Sequence, residues 1–364
     1  MSNIIEAISE LSDLSELPKP HAADARVYEN SCDGSLFALV NKGRQDEYMF
    51  DAQKADVWDV RRKFLSKRHT VSYKKLDVTV LVNANNSKKF QLDRKCDLVN
   101  GLDLVLLDRN GVGVQGILKS IKVEIGCQCI DVWHACDTFG TFVDATCAIH
   151  GRKVSRHGEL LFVPLALAPF HHHNLLSLIG LEYHGVNILV EFTPAYEDAL
   201  SSTIYGNAYY IDDRKAALDY QMGTAQVQYS RKSTRTVDGG GTSMHTVDFV
   251  HPITMMYFWG FDKASVVNVK LTFNDVPFYD GPLEPLERMQ EMRGLKDVIP
   301  SMIFFSRTAL SSTCQSTINF SRIDRAVLHL TTLKGSSECL VEVRGIGVQP
   351  IRIMAGMAGL AFSK

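Results

Sequence analysis

The chain has 364 residues, with 39 basic against 41 acidic side chains and a formal net charge of −2. That balance excludes whole-molecule electrostatic attraction to nucleic acid as the basis of function. Hydrophobic residues make up 45%, enough to fill the cores of two ordinary domains, and no run of 18 apolar residues forms a helical membrane span.

Residues 1–17 place Ile4, Ile5, Ile8, Leu11 and Leu14 at helical spacing with acids between them, which predicts a short amphipathic helix ended by Pro18 and Pro20. Glu6, Glu10, Asp13 and Glu16 argue against an N-terminal secretory leader. The eight scattered cysteines are therefore expected as reduced thiols in a cytosolic compartment. Strand texture begins at SLFALV (35–40). A basic segment follows at 61–75, where Arg61, Arg62, Lys63, Lys67 and Arg68 are interleaved with Phe64, His69 and Tyr73. It reads either as a patch facing nucleic acid or an anionic membrane, or as a solvated strand rim balanced by Asp56, Asp59 and Asp77.

LDVTVLV (76–82) alternates and breaks at NANNS. LDLVLLD (102–108) runs into RNGVGVQG, read as a hairpin turn around Asn110-Gly111. Strands resume at 117–131, 160–168 and 186–192. The clearest helix candidate after the N-terminus is the connector 207–222, NAYYIDDRKAALDYQM, which lacks Pro and carries Asp212 and Asp213 near its start. Beyond a flexible loop at 231–241, residues 245–261 (HTVDFVHPITMMYFWGF) alternate and then become continuously apolar. A long insert at 277–300 contains a short helix at 283–294. The last strands fall at 326–331 and 339–345, before a small, apolar, glycine-punctuated tail at 351–364.

Three segments of the first half are echoed in order in the second. KSIKVEIGCQCID (119–131) matches VNVKLTFNDVPFYD (267–280), LFVPLALA (161–168) matches IFFSRTAL (303–310), and VNILVEF (186–192) matches AVLHLT (326–331). One β-domain used twice, joined at the connector, accounts for this. Short strands, frequent turns and few helices indicate an all-β sandwich architecture.

No chemistry-bearing constellation stands out. His171, His172 and His173 are adjacent, and neighbours on a strand point to opposite faces, so a shared metal is not expected. Cys127, Cys129, His134 and Cys136 lack zinc-knuckle spacing. Gly111, Gly113 and Gly116 fit G-x-G-x-x-G in the wrong context, because more strand is expected to follow. The sequons at Asn85 and Asn319 read as coincidental without a secretory route. No catalytic residue, cofactor or metal is expected.

Several motifs then point one way. GSLFALVNKGRQDEY (34–48), KFLSKRHT (63–70), KVEIGCQCID (122–131), LIGLEYHGVNILVEF (178–192), YIDDRKAA (210–217), STINFSRIDRAVL (316–328) and RIMAGMAGLAFS (352–363) occur in one order. Together they resemble the double jelly-roll major capsid proteins of nucleocytoplasmic large DNA viruses of the irido- and phycodna-like kind. Two departures are visible: residues 50–56 stand where that family has an Asn-Pro turn, and Gly126-Cys127 replaces a glycine pair.

The resemblance implies two tandem eight-stranded jelly rolls with short helices in connectors: an arm at 1–33, a first roll at 34–215 and a second at 216–364. It implies a non-enzymatic capsid protein whose homotrimers form pseudo-hexameric capsomers of an icosahedral shell, assembled in the host cytoplasm. Partners would be other copies, neighbouring capsomers, minor capsid proteins and an inner viral membrane surface. The arm and the basic patch, Arg61, Arg62, Lys63, Lys67 and Arg68, would face inward. Asn319, Phe320, Arg322 and Asp324 would be buried packing, with Arg322 and Asp324 paired inside the protein or at the trimer interface. Arg352, Met354, Gly356 and Gly359 would pack across the base of a roll or against a neighbour, with Met354 and Met357 filling gaps. Alternatives are a minor capsid or scaffold paralogue and, in other classes, a two-jelly-roll enzyme acting on glycans or a carbohydrate-binding pair exposing Trp58, Trp133 and Trp259.

Overall fold

The computed structural model describes residues 64–362 apart from 66–67, 84–85, 137, 172–173, 195, 197, 199–200, 230–240, 307–316 and 334–340. The arm, SLFALV, Trp58 and the basic residues Arg61, Arg62, Lys63 and Lys67 lie outside the described residues.

The first half contributes β1 (His69–Lys75), β2 (Val78–Asn83), β3 (Ser87–Leu92), β4 (Leu98–Leu107), β5 (Leu118–Ile125), β6 (Gln128–Trp133), β7 (Ser155–His157), β8 (Leu160–Pro164), β9 (Leu176–Ser177), β10 (Val186–Phe192) and β11 (Thr203–Ile211). The second contributes β12 (Tyr220–Tyr229), β13 (Gly241–Thr246), β14 (Pro252–Trp259), β15 (Val266–Phe273), β16 (Val276–Gly281), β17 (Ser301–Phe304), β18 (Ile318–Asn319), β19 (Ala326–Thr332), β20 (Glu342–Met354) and β21 (Met357–Leu360).

Two sheets form in each half. The first half has β1-β11-β4-β8-β7, with β9 on β4, and β2-β3-β10-β5-β6. The second half has β12-β20-β14-β17, with β18 on β14 and β21 on β20, and β13-β19-β15-β16. The orders superimpose. β1, β11, β4, β8 and β9 correspond to β12, β20, β14, β17 and β18, while β3, β10, β5 and β6 correspond to β13, β19, β15 and β16. Among the described residues, all three echoed segments begin on corresponding strands, β5-β6 with β15-β16, β8 with β17, and β10 with β19, while residues 307–310 of the second echo lie outside the described residues.

Each half closes over apolar side chains, but the two cores are not alike. One cluster fills the first half and extends into the second through Met222, Met255, Tyr257, Trp259, Ile346, Ile351 and Ile353. The other, around Met256, Phe258, Leu271, Phe273 and Leu328, is private to the second half. The apolar run on β14 explains the split. Every residue of β14 is buried, and a bulge between Ile253 and Met255 sets the phase. Met256 and Phe258 then face the private core, whereas Met255, Tyr257 and Trp259 face the shared one. A strand covered on both faces needs no polar alternation.

Two local expectations change. Asn110-Gly111 is a turn but not a hairpin: β4 and β5 belong to different sheets, and the chain crosses through helix α1 (Gly113–Ile117). The carboxylate of Asp108 accepts the Val112 and Gly113 amides at 3.0 Å each, which steers the chain into that helix. The connector is not a helix of 16 residues. Tyr209 and Ile211 are recruited to β11, Tyr220 and Met222 to β12, and only a 3-10 turn at Arg214–Ala217 remains, where Asp213 accepts the Ala216 amide. Strand pairing on β11 and β12 overrides a helix propensity of tenths of a kcal/mol per residue. The helix expected at 283–294 is present as α3 (Glu284–Met292).

Candidate assembly interface

The two rolls meet around a helix that sequence reading passed over. α2 (Phe139–Ile149) lies between β6 and β7. Phe139, Phe142, Val143, Thr146 and Cys147 are buried, at the i, i+3, i+4, i+7, i+8 spacing of a helix covered along one broad stripe. The stripe is visible in FGTFVDATCAI, but its Phe, Thr and Val residues also favour strands, and that masks the period.

From this helix Phe142 stacks on Trp259 of the second roll, with ring centroids 6.4 Å apart, and meets Trp133 edge-on at 5.7 Å. Trp259 also stacks on Tyr257 at 5.7 Å. The polar ends of both rings are satisfied across the joint. The indole N–H of Trp259 donates to Thr138 Oγ1 at 2.7 Å, and the Tyr257 hydroxyl lies 3.2 Å from Thr146 Oγ1. Burial holds the Tyr257 phenol far above its ordinary pKa, so it acts only as a neutral hydrogen-bonding group.

A buried ion pair sits under these rings. Arg344 donates to Glu342 at 2.9 Å, and the side chains are 5% and 4% exposed. The guanidinium lies 5.6 Å from the Phe142 ring centre and 5.9 Å from that of Trp259. The half-buried Cys136 thiol is pushed up chiefly by burial and by Glu342, with Arg344 working against them.

The face of the first roll that corresponds to this one is built from similar parts but is open. Tyr73 and Tyr205 stack at 6.0 Å. Tyr73 donates to Asp103 at 2.9 Å, and Arg152 grips both oxygens of Asp103 at 2.8 Å. Burial and the Asp103 hydrogen bond push the Tyr73 phenol up. Tyr73 nevertheless stays 51% exposed and its strand neighbour Val71 49%.

The tail also joins the rolls. β20 and β21 turn through Ala355 and Gly356, both at positive φ (52° and 78°), the requirement of a two-residue type I′ turn. The first roll receives this hairpin. Tyr183 N–H donates to Gly356 O at 2.9 Å, Ala358 N–H to His184 Nδ1 at 3.2 Å, and Leu360 N–H to Gln128 Oε1 at 3.2 Å. A Cβ at Gly356 would come within 2.7 Å of the Tyr183 ring, and one at Gly359 within 2.9 Å of Gln128 Oε1. The small residues therefore serve a contact within the chain. Met354, Met357 and Arg352 are exposed on this chain, and the two methionines fill no gap within it.

The NFSRID motif is only half buried. Asn319 is buried and caps a 3-10 turn by accepting the Ser321 amide at 3.1 Å. Buried Phe320 packs edge-on with Phe249 and Phe273 at 5.1 and 5.5 Å. Arg322 and Asp324, expected as a pair inside the protein or at the trimer interface, are both exposed on this chain. Arg68 is exposed just before β1. His171 is buried and stacked on His150 at 3.9 Å. Cys127 and Cys129 are exposed on the β5-β6 hairpin, where Gly126 and Cys127 both take positive φ. Trp133 and Trp259 are buried, so neither is an exposed platform for a sugar ring.

Paired sheets, repeated in one order and locked side by side, define the chain as a double jelly roll. Its resemblance to the double jelly-roll capsid proteins of large DNA viruses holds in sequence and in fold. It is 24% identical to the major capsid protein of Pyramimonas orientalis virus over 401 aligned residues, covering 91% of this chain and 99% of that one. Its fold matches VP54 of PBCV-1 with a TM-score of 0.65 at 16% identity, covering 82% of this chain and 98% of VP54. It also matches the major capsid protein P2 of bacteriophage PM2 with a TM-score of 0.51 at 15% identity, covering 77% and 98% of the two chains. No protein-family profile matches the chain.

Proposed function

We propose that this chain is a non-enzymatic capsid protein, located in the virion, whose copies assemble as homotrimers into pseudo-hexameric capsomers of an icosahedral large DNA virus shell. Its likeness to viral capsid proteins supports the class. The observation that supports the trimer is the joint between the rolls. There, one roll offers a sheet face, on β14 and β20, and the other offers an edge, on α2 and β6. Such a head-to-tail contact uses two different surfaces and leaves the complementary pair free at the two ends of the chain. Repeated between chains, it closes a ring, and three chains of two rolls make six similar units.

On this reading the domain boundary falls at about residue 215, within the 3-10 turn. The basic segment faces minor capsid proteins or an inner viral membrane, and assembly takes place in the host cytoplasm. The exposed Arg322 and Asp324 are then available to a neighbouring chain. Size-exclusion chromatography with light scattering tests the trimer: the expected mass is three times 40.6 kDa. A monomer at all concentrations would overturn it.

A further inference from the structure

We infer that α3 of one chain seats its Met289 and Met292 face on the Val71, Tyr73 and Tyr205 face of a second copy, an assignment that rests on the capsomer reading above. α2 and α3 occupy corresponding places: each follows the edge strand of the smaller sheet, β6 or β16, and precedes the outer strands of the larger one. α2 is buried against the second roll. α3 buries only Leu286 and Gln290 against its own roll and leaves Met289 44% and Met292 72% exposed. Those two residues are three apart and share one helix face.

The receiving surfaces correspond in the same way. Under α2 lies a stacked aromatic pair, Tyr257 and Trp259, beside the Glu342–Arg344 ion pair. On the matching sheet of the first roll lies the stacked pair Tyr73 and Tyr205 beside the Asp103–Arg152 ion pair. Among the described residues nothing covers it. Thioethers pack well on aromatic rings and adapt to an irregular surface. The charges also agree: β1 ends in exposed Lys75, and α3 begins with exposed Glu284. The missing cover on one end of the chain and the unburied helix on the other are thus the two halves of the joint seen once within the chain.

The test uses the full chain with the photo-crosslinker p-benzoylphenylalanine at position 292. Irradiation is expected to join position 292 of one chain to a peptide containing residues 69–75 or 203–211 of another, identified by mass spectrometry of mixed isotope-labelled and unlabelled chains. The double substitution Met289→Glu and Met292→Glu, and separately Val71→Glu, should each raise the concentration of half-dissociation at least tenfold. Val267→Glu, 49% exposed on β15, should leave it unchanged. A trimer whose cross-links land elsewhere, or which tolerates both the Met289/Met292 and Val71 changes, overturns this contact and leaves the capsomer reading standing. A wild-type chain that never rises above a monomer overturns the capsomer reading itself.

Discussion

β4 and β14 hold the same position in their rolls, and both are buried along nearly their whole length, yet their outward faces differ. β14 turns Tyr257 and Trp259 into an apolar joint sealed by α2. β4 turns Asp103 outward, held by Arg152 and Tyr73 on a face still open to water. The same fold thus carries a dry contact on one roll and a half-wet one on the other. Burial of an ion pair costs several kcal/mol of desolvation that attraction and hydrogen bonds must offset. The pair at Glu342 and Arg344, enclosed by rings and a neighbouring roll, offsets that cost with its own 2.9 Å bond and with the Phe142 and Trp259 rings beside the guanidinium. The pair at Asp103 and Arg152, 10% and 19% exposed, is partly solvated.

The largest effect should follow from emptying the dry joint. Trp259→Ala removes a buried ring, its stack on Phe142 and its bond to Thr138, and should destabilise the chain by about 3–5 kcal/mol. Urea unfolding should then split from one transition into two as the rolls uncouple. Tyr205→Ala, on the open face, should cost about 1 kcal/mol and leave a single transition. Equal losses at the two positions would show that the faces are not energetically distinct.

Next in size is the contrast between the ion pairs. Arg344→Met leaves Glu342 charged beneath the aromatic layer, at a cost of about 3–5 kcal/mol. Arg152→Met leaves Asp103 with its Tyr73 bond and access to water, at about 1.5–3 kcal/mol. Chemical denaturation of both variants measures the difference, and a larger loss for Arg152→Met would reverse the comparison.

How much of this was legible in the sequence follows from the same physics. The three echoed segments were readable because strand alternation and Gly or Asn turns are local, and they fell on corresponding strands. The continuously apolar run in PITMMYFW is legible as such, but not that β14 is buried on both faces, nor which roll lies beyond it. The joint itself was not legible. Glu342 and Arg344 are two apart on one strand, and nothing local in the sequence shows that another roll closes over them. Strand-favouring residues mask α2, and DDRKAALD has helix-forming composition although its flanks are claimed by β11 and β12. Arg322 and Asp324 are expected as a pair inside the protein or at the trimer interface, and the motif does not tell which of its residues the 3-10 turn at Phe320–Arg322 leaves at the surface of this chain.

The smallest effect concerns acid, and it asks whether the rolls differ in how burial holds their carboxylates. Burial alone would raise the pKa of Asp108, but the amides of Gly113 and Val112 and the Arg156 guanidinium outweigh it and hold the carboxyl below its ordinary value. Asp280 in the second roll is also held low, first by Asn268 and then by Lys270, at an exposed position. A carboxylate whose native pKa is depressed adds stability that is present above its unfolded value, about pH 4, and is lost as pH falls through the native one. Both rolls should therefore weaken below about pH 4. Asp108 has a 1% exposed side chain and directs the crossover into α1, whereas Asp280 is screened by water. Asp108→Asn should flatten the fall of thermal stability between about pH 5 and pH 3, and Asp280→Asn should barely alter it. Melting curves across that window decide the point, and an equal flattening by both substitutions would mean that the turn at Asp108 adds nothing beyond an exposed ion pair.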